Sequence, residues 1–189
     1  MTRPTLTIIA GANGSGKTTL TRWNSALFRT TPVLDPDAIA KTLQASTTGL
    51  STVAAARQVL KTAAKHLEDA DSFAVETTLS GKNYLQMMLD AKQREFEIVL
   101  IYIATGSVEI NLERIRNRVL SGGHDVPESD VRRRYRRSFA NLPFAMKHAD
   151  HNILFDNSSD EGYRLIAVIS GAEGKWFGTM PDWAAELKG

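Results

Sequence analysis

The feature that most constrains this chain is a glycine-rich octet that directly follows a short apolar run. Residues 11–18 read Gly-Ala-Asn-Gly-Ser-Gly-Lys-Thr and satisfy the pattern G-x-x-x-x-G-K-T. The run from Leu6 to Ala10 predicts a buried strand, and the residues from Lys17 to Phe28 predict a helix. Because this motif requires a strand before it and a helix after it, the sequence predicts a phosphate-binding loop.

Each part of this loop has an expected task. The glycines let the backbone curl so that N–H groups face phosphate oxygens, and the following helix adds its positive end. Lys17 is expected to reach the β- and γ-phosphates, Thr18 to bind Mg²⁺, and Thr19 to support the α-phosphate. The predicted cofactors are therefore ATP and Mg²⁺, with Thr18 as the metal ligand. The predicted nucleotide-binding residues are Gly11, Ala12, Asn13, Gly14, Ser15, Gly16, Lys17, Thr18 and Thr19.

Beyond the loop, predicted strands alternate with predicted helices, which indicates an α/β fold. Ile98–Ala104 is so uniformly apolar that both of its faces should be covered, so we expect a central strand there. We predict one domain over residues 1–189, with a mainly parallel sheet of five to six strands flanked by helices. Other predicted strands are Val33–Leu34, Phe73–Thr77, Asn152–Phe155 and Leu165–Ile169, and other predicted helices are Ser51–Ala70 and Asn83–Arg94.

Two further packing predictions follow from apolar spacing. The helix from Ser51 should bury a stripe with spacings of three and four, formed by Val53, Ala56, Leu60, Ala63 and Leu67. Three aromatic residues near the end of the sequence should pack back onto the sheet: Trp176, Phe177 and Trp183.

Acidic residues stand where two predicted strands end. Asp35 and Asp37 follow the short strand at Val33, and a carboxylate there is suitably placed to accept the proton of an attacking hydroxyl. Asp37 is equally well interpreted as the cap of the next helix. Glu76, followed by Thr77, closes the strand that begins at Phe73, and it either contacts substrate or metal or simply faces solvent.

An arginine-rich segment forms two predicted helices. In the first, Arg114 and Arg118 share a face beside a buried stripe formed by Leu112, Ile115 and Val119. Eight arginines lie between residues 113 and 137, at positions 114, 116, 118, 132, 133, 134, 136 and 137. A solvated basic face is the plain alternative to a functional one.

The second of these helices is predicted to begin near Pro127 and to bury Val131, Tyr135, Phe139 and Leu142. Arg132 and Arg134 flank this apolar face and should lean over a pocket, whereas Arg133 and Arg137 should lie in solvent. The turn Ser121–Asp125 between the helices suits a lid, at about residues 114–140, that closes over ATP. His124 in this turn is either a substrate contact or a structural residue.

The composition of the chain narrows the range of partners that it is expected to bind. The formal net charge is only +2, and the arginines have no interleaved aromatic residues beyond Tyr135 and Phe139, which are both predicted to be buried, so nucleic acid is not the expected partner. Cysteine is absent, no signal-peptide pattern occurs at the N-terminus, and no apolar stretch reaches the roughly 20 residues of a membrane span. We therefore expect a cytoplasmic protein that does not bind a membrane.

Four segments together resemble the compact zeta toxin-like kinases: Gly-Ala-Asn-Gly-Ser-Gly-Lys-Thr, Asp-Pro-Asp-Ala-Ile-Ala, Glu-Thr-Thr-Leu-Ser-Gly-Lys and Arg-Val-Leu-Ser-Gly-Gly-His-Asp-Val-Pro. The resemblance covers the chain from Leu6 to about Leu142. It implies a P-loop kinase fold in which ATP and Mg²⁺ serve to phosphorylate a hydroxyl. Larger zeta toxins phosphorylate UDP-N-acetylglucosamine and are commonly controlled by an antitoxin.

The resemblance also implies roles for individual residues. Asp37 is similar to the general base of the family, Glu76 to its acidic substrate-side residue, and Arg118 and Arg134 to its lid arginines. The expected catalytic residues are thus Asp37, Lys17, Arg118 and Arg134, and the expected substrate-binding residues are Glu76, Thr77, Asp35 and His124.

The predicted function is an ATP-dependent phosphotransferase acting on a small-molecule hydroxyl, with a UDP-sugar as one acceptor and an antitoxin as one protein partner. The chain is shorter than the larger sugar-nucleotide kinases, so its acceptor can differ. Two competing functions remain open: a switch that hydrolyses ATP and acts through a protein partner, and an RNA-directed kinase.

Overall fold

The structure is a computed structural model that describes residues 3–23, 31–36, 38–39, 52–123 and 125–188. Its strands are β1 Thr5–Ala10, β2 Val33–Leu34, β3 Phe73–Thr77, β4 Glu97–Ala104, β5 His151–Asp156, β6 Arg164–Ser170 and β7 Glu173–Trp176. Its helices are α1 Lys17–Trp23, α2 Thr52–Glu68, α3 Lys82–Gln93, α4 Val108–Leu120, α5 Glu128–His148 and a final 3₁₀ helix, Asp182–Lys188.

These strands form one seven-stranded sheet in the order β2-β3-β1-β4-β5-β6-β7. The strands from β2 to β5 in this order run parallel, and β6 and β7 are added antiparallel at one edge. The predicted α/β fold class with a mainly parallel sheet is confirmed. The seventh strand was not predicted, because the sequence Glu-Gly-Lys-Trp has no apolar alternation that would indicate a strand.

The register of the sheet brings several strand ends together. Ala10, the last residue of β1, lies opposite Thr77 of β3 and Tyr102 of β4. Directly after β1, the N–H of Gly11 donates to the carbonyl of Thr77 over 3.2 Å. The glycine-rich loop therefore leaves the sheet between the ends of β3 and β4, at the carboxyl edge where parallel sheets bind ligands.

Apolar side chains cover both faces of the sheet. The larger cluster packs one face against α2, α3 and α5, and its members include Leu6, Ile8 and Leu100. A smaller cluster on the other face joins Ile9, Ala74 and Ile103 to Leu20 of α1. Because β4 lies between β1 and β5 and contributes to both clusters, the prediction of a central strand is confirmed.

Two predicted stripes differ in detail from the structure. On α2 the buried residues are Ala55, Val59, Ala63 and Leu67, so the stripe runs beside the predicted Ala56 and Leu60. The side chain of Val53 lies outside the described residues.

On α4, Leu112 and Ile115 are buried as predicted, but Val119 is 37% exposed and the prediction for it is wrong. The reason is that the small cluster between α4 and α5, which pairs Leu112 and Ile115 with Val131, ends before the last turn of α4.

The final segment packs onto the sheet largely as predicted. Trp176 lies in β7 and Trp183 in the 3₁₀ helix, and both pack against the larger core cluster. The ring of Trp183 lies 6.0 Å from that of Phe139, and its Nε1 donates to Asp156 Oδ1 over 3.0 Å. The C-terminal residues thus pack against α5. Among the described helices, none is long and apolar enough to cross a membrane.

The packing of α5 gives a prediction about stability. Leu142 of α5 is fully buried, so Leu142→Ala should lower the free energy of unfolding by about 3 kcal/mol through lost burial and a residual cavity. Leu120→Ala makes the same chemical change at a side chain that is 85% exposed and should stay within about 0.5 kcal/mol of the wild type. Urea denaturation measures both, and equal losses would contradict this description of the core.

Candidate functional site

The loop between β1 and α1 has a backbone that only glycine accepts at several positions. Gly11, Gly14 and Gly16 have φ angles of 147°, 81° and 107°. A Cβ atom on Gly14 would lie 2.6 Å from the carbonyl oxygen of Asn111, and one on Gly16 would lie 2.6 Å from Asn157 Nδ2. Both the backbone conformation and the surrounding atoms therefore require glycine in this loop.

The polar groups of the loop fit a bound phosphate. Lys17 Nζ donates to the carbonyls of Gly11 and Ala12, over 2.7 Å and 3.1 Å, so its ammonium group lies across the mouth of the loop. Ser15 Oγ is buried without a hydrogen-bond partner among the described residues. The loop ends where α1 begins at Lys17, so the positive end of the helix points into the same space.

Glu76 lies directly beside this loop. Only 4% of its surface is exposed, so the alternative that it faces solvent is wrong. Its Oε2 accepts a hydrogen bond from Thr18 Oγ1 over 3.0 Å, and its Oε1 accepts one from Thr21 Oγ1 over 2.7 Å. Burial raises the pKa of Glu76, the hydrogen bond from Thr21 lowers it, and the negative charge of Asp35 raises it further.

These contacts define what could hold a divalent cation. No cluster of three or more His, Cys, Asp or Glu side chains with metal-binding geometry occurs in the part of the chain that the structure describes. Thr18 and the neighbouring Glu76 carboxylate are oxygen donors of the kind that Mg²⁺ prefers, and Mg²⁺ commonly binds through one or two protein ligands together with substrate phosphates. The donor set therefore fits a magnesium ion that enters with a nucleotide.

The other predicted substrate-binding residues have different surroundings. Thr77 is buried, and its Oγ1 accepts a hydrogen bond from the N–H of Leu79, so it shapes the turn after β3. Asp35 is half-buried after β2, and its carbonyl accepts the N–H of Ile39 over 3.0 Å. Asp37 and His124 lie outside the described residues.

The two predicted lid arginines differ in their surroundings. Arg134 on α5 reaches the loop, where its Nη1 donates to Asn13 Oδ1 over 3.3 Å and its Nη2 lies 3.4 Å from Asp130 Oδ2. Arg118 is exposed on the last turn of α4, and Gly123 lies against its aliphatic stem. Arg134 is therefore the lid arginine for which the structure shows a contact with the loop.

Arg132 does not lean over the loop, and that prediction is wrong. It forms an ion pair with Glu109 Oε1 at 2.9 Å, which joins α4 to α5 at the surface, and a second one within α5 with Glu128 Oε1 at 2.8 Å. Its hydrogen bond lowers the pKa of Glu109. Arg133 is exposed, as predicted, and pairs with Asp130. Arg132 therefore belongs to the packing of the two helices.

Three residues that the sequence analysis did not select contact the loop. Asn111 Nδ2 donates to the carbonyl of Asn13 over 2.6 Å, Asn157 Nδ2 donates to that of Ser15 over 2.8 Å, and the Tyr163 hydroxyl donates to that of Gly16 over 2.7 Å. Asn111 could have been selected from the sequence, because it is a polar amide next to the predicted apolar stripe of α4. Asn157 and Tyr163 lie in the polar connection between β5 and β6, where no sequence pattern distinguishes them.

Comparison with solved structures shows the same fold in two other proteins. The AvrRxo1-ORF1:AvrRxo1-ORF2 complex with ATP contains a chain that matches 98% of this chain with a TM-score of 0.75 and 17% identity. This match spans 63% of that protein, which is therefore considerably longer. The PezAT chromosomal toxin–antitoxin system of Streptococcus pneumoniae contains a chain that matches 87% of this chain and 71% of its own length, with a TM-score of 0.57 and 18% identity.

Sequence comparison shows the family. An uncharacterized protein of Haemophilus influenzae is 38% identical over 125 residues, which are 66% of this chain and 88% of that protein. A model of the AAA domain family matches residues 6–142, which contain the glycine-rich loop, Glu76 and Arg134. The chain belongs to this AAA domain family and has a kinase-like P-loop nucleotide-binding fold.

Proposed function

We propose that this protein is an ATP-dependent phosphotransferase that transfers the γ-phosphate to a hydroxyl of a small molecule. The observation that carries the proposal is that a buried carboxylate and an arginine from a separate helix both contact the phosphate-binding loop. Glu76 reaches it through Thr18, and Arg134 reaches it through Asn13. Such a combination suits phosphoryl transfer, because catalysis of this reaction consists mainly of positioning and of stabilising charge on the transferred group.

In the proposed reaction, Asp37 accepts the proton of the acceptor hydroxyl as the acceptor oxygen forms its bond to the γ-phosphorus. The bond between that phosphorus and the bridging oxygen of ADP breaks at the same time. Lys17 exchanges its contacts with the loop carbonyls for phosphate oxygens, and Arg134 neutralises charge on the transferred group. Thr18 would hold a Mg²⁺ ion, which would supply positive charge to neutralise the nucleotide phosphates.

The acceptor side of the site is proposed to lie beyond β3. Glu76 and Asp35 stand at the carboxyl edge of neighbouring strands, and the Thr78 and Ser80 hydroxyls lie 2.9 Å apart in the turn that follows β3. Carboxylates and hydroxyls at this edge suit an acceptor that carries several hydroxyl groups. The resemblance to zeta toxins makes a UDP-sugar such as UDP-N-acetylglucosamine the first candidate.

A protein partner is part of the proposal. The structures with the same fold come from the complex of AvrRxo1-ORF1 with AvrRxo1-ORF2 and from the PezAT toxin–antitoxin system. Together with the resemblance to zeta toxins, they support a toxin controlled by an antitoxin. The lid proposed for residues 114–140 contains the second half of α4 and the first part of α5, and an inhibitor could act by holding it away from the loop.

The central test is turnover of Mg-ATP by the wild type and Asp37→Asn. Each is incubated with a panel of UDP-sugars, nucleosides and small alcohols, and phosphorylated products are detected by mass. We expect a new product with the wild type and a loss of about a hundredfold or more with Asp37→Asn, because the proton acceptor is removed. ATP affinity should be nearly unchanged, since Asp37 is assigned to the acceptor side.

Other results separate the competing functions. ADP release that never depends on an acceptor, with ATP bound, would favour a switch that acts through a protein partner. An equal loss of ATP affinity and transfer in Asp37→Asn would make Asp37 a structural or metal-site residue. A phosphorylated RNA end, with affinity that falls steeply with salt, would favour an RNA-directed kinase.

Arg134 gives a second prediction. Arg134→Ala should lower the rate of transfer by about a hundredfold, because one preorganised positive group near the phosphates is lost. Arg137→Ala is the matched control: it removes the same charge from the same helix at an exposed position and should leave the rate unchanged. Single-turnover kinetics measures both variants, and equal rates for the two would exclude Arg134 from the reaction.

Glu76 gives a third prediction, in which stability and activity change in opposite directions. Holding its carboxylate in a buried position raises its pKa, so the ionised form is disfavoured there. Glu76→Gln removes the charge with little change of shape and should raise the melting temperature while it lowers transfer. Scanning calorimetry and the product assay measure the two effects. A variant that gains stability and retains full transfer would show that Glu76 has no part in the reaction.

A further inference from the structure

Three side chains outside the glycine-rich motif hold its peptide groups from the outside. They come from two separate parts of the fold: Asn111 from α4, and Asn157 and Tyr163 from the connection between β5 and β6. Their donors engage the carbonyl oxygens of Asn13, Ser15 and Gly16 over distances between 2.6 Å and 2.8 Å. We refer to Asn111, Asn157 and Tyr163 together as the carbonyl clamp.

The effect of the clamp follows from peptide geometry. In a planar trans peptide, the carbonyl and the N–H of the next residue point in opposite directions. A carbonyl of Asn13 held outward therefore turns the N–H of Gly14 inward, and the same argument applies to the N–H of Gly16. The Gly16 carbonyl is held by Tyr163 together with the backbone N–H groups of Thr19 and Leu20, which turns the N–H of Lys17 inward. These are N–H groups of the kind that a phosphate-binding loop presents to phosphate oxygens.

The clamp side chains are themselves fixed. Asn111 is fully buried, and its Oδ1 accepts a hydrogen bond from Thr105 Oγ1, so both ends of its amide are used. Arg114 of α4 donates from Nη1 to the carbonyl of Asn157 over 2.7 Å, which joins the two parts of the clamp. Because these clamp side chains are each held in one orientation, they can hold the loop carbonyls in one orientation as well.

Tyr163 is held through its ring. The ring lies 6.3 Å from Phe155 and 6.0 Å from Trp23, both in edge-on arrangements. Burial raises the pKa of the Tyr163 hydroxyl, which keeps it protonated and able to donate. Its hydroxyl would also lie only 2.7 Å from a Cβ atom on Gly16, so the glycine of the motif leaves room for the clamp.

We propose that Asn111, Asn157 and Tyr163 are positioning residues that set the affinity of the loop for nucleotide phosphates. They act through the loop backbone and do not touch the nucleotide. The inference rests on the nucleotide binding in the proposed function but not on phosphate transfer or on the acceptor. It adds two positions beyond residue 142 to the binding machinery, although the motif itself ends at Thr18.

The test compares ATP affinity with stability in variants that remove one donor each. Tyr163→Phe removes only the hydroxyl, and Asn157→Leu removes the amide with little change of volume and no new charge. Each should raise the dissociation constant for Mg-ATP by about fivefold, the value of one ordinary hydrogen bond. Titration calorimetry measures the affinity, and urea denaturation without nucleotide measures stability.

Tyr102→Phe is the matched control, because it also removes a buried tyrosine hydroxyl. That hydroxyl is paired with Ser138 Oγ at 2.9 Å, on α5 and not on the loop. We expect Tyr102→Phe to lose stability without any change in ATP affinity. If the clamp acted only through general stability, Tyr102→Phe would weaken ATP binding at least as much as Tyr163→Phe.

Two outcomes would overturn the inference in distinguishable ways. A wild type that binds ATP, with unchanged affinity in both Tyr163→Phe and Asn157→Leu, would overturn the clamp alone. A wild type that binds no nucleotide would overturn the clamp and the proposed function together. Weakened ATP binding in both variants, without any transfer by the wild type, would support the clamp and leave the proposed phosphotransferase activity as the part that fails.

Discussion

The site depends on a turn whose backbone angles are unfavourable for any residue except glycine and whose surroundings leave no room for a side chain. Gly14 and Gly16 have positive φ angles, and atoms of Asn111, Asn157 and Tyr163 occupy the space where a Cβ would be. Sterics alone would allow glycines many conformations, so the loop needs bonds from outside to hold one of them. The neighbouring elements supply those bonds, and the order of the sheet brings those elements close.

The central position of β1 explains why several chemical groups meet at one loop. With β3 on one side and β4 on the other, the loop after β1 lies beside Glu76 and close to the helices that follow β4. Glu76 is held in a buried place, where desolvation raises its pKa, and a perturbed carboxylate of this kind marks a candidate functional position. Structural ion pairs such as Arg132 with Glu109 stay at the surface instead.

The structural position of a residue could be predicted from the sequence where a local sequence pattern determines that position. The loop and the strand that ends at Glu76 have local signatures, so the sequence predicted the fold class and the position of Glu76 at the sheet edge. Arg132 and Arg134 both flank the same apolar face, and only the position of α4, with Glu109, separates their surroundings. The prediction that Val119 is buried was wrong for a similar reason, because the apolar periodicity of one helix does not show where its contact with a neighbouring helix ends. The roles of Asp37 and His124 stay predictions.

The residues that match the family model are not the same as the residues that hold the glycine-rich loop in place. The family match covers residues 6–142, yet two of the three clamp residues, Asn157 and Tyr163, lie after it. The segment that carries them is tied to the rest of the fold, because Asp156 accepts hydrogen bonds from Ser158 and from Trp183 of the final helix. A P-loop motif that is complete in sequence therefore depends on the C-terminal part of the chain for the orientation of its peptide groups. Truncation after residue 142 would keep every motif residue and remove two of the three clamp side chains.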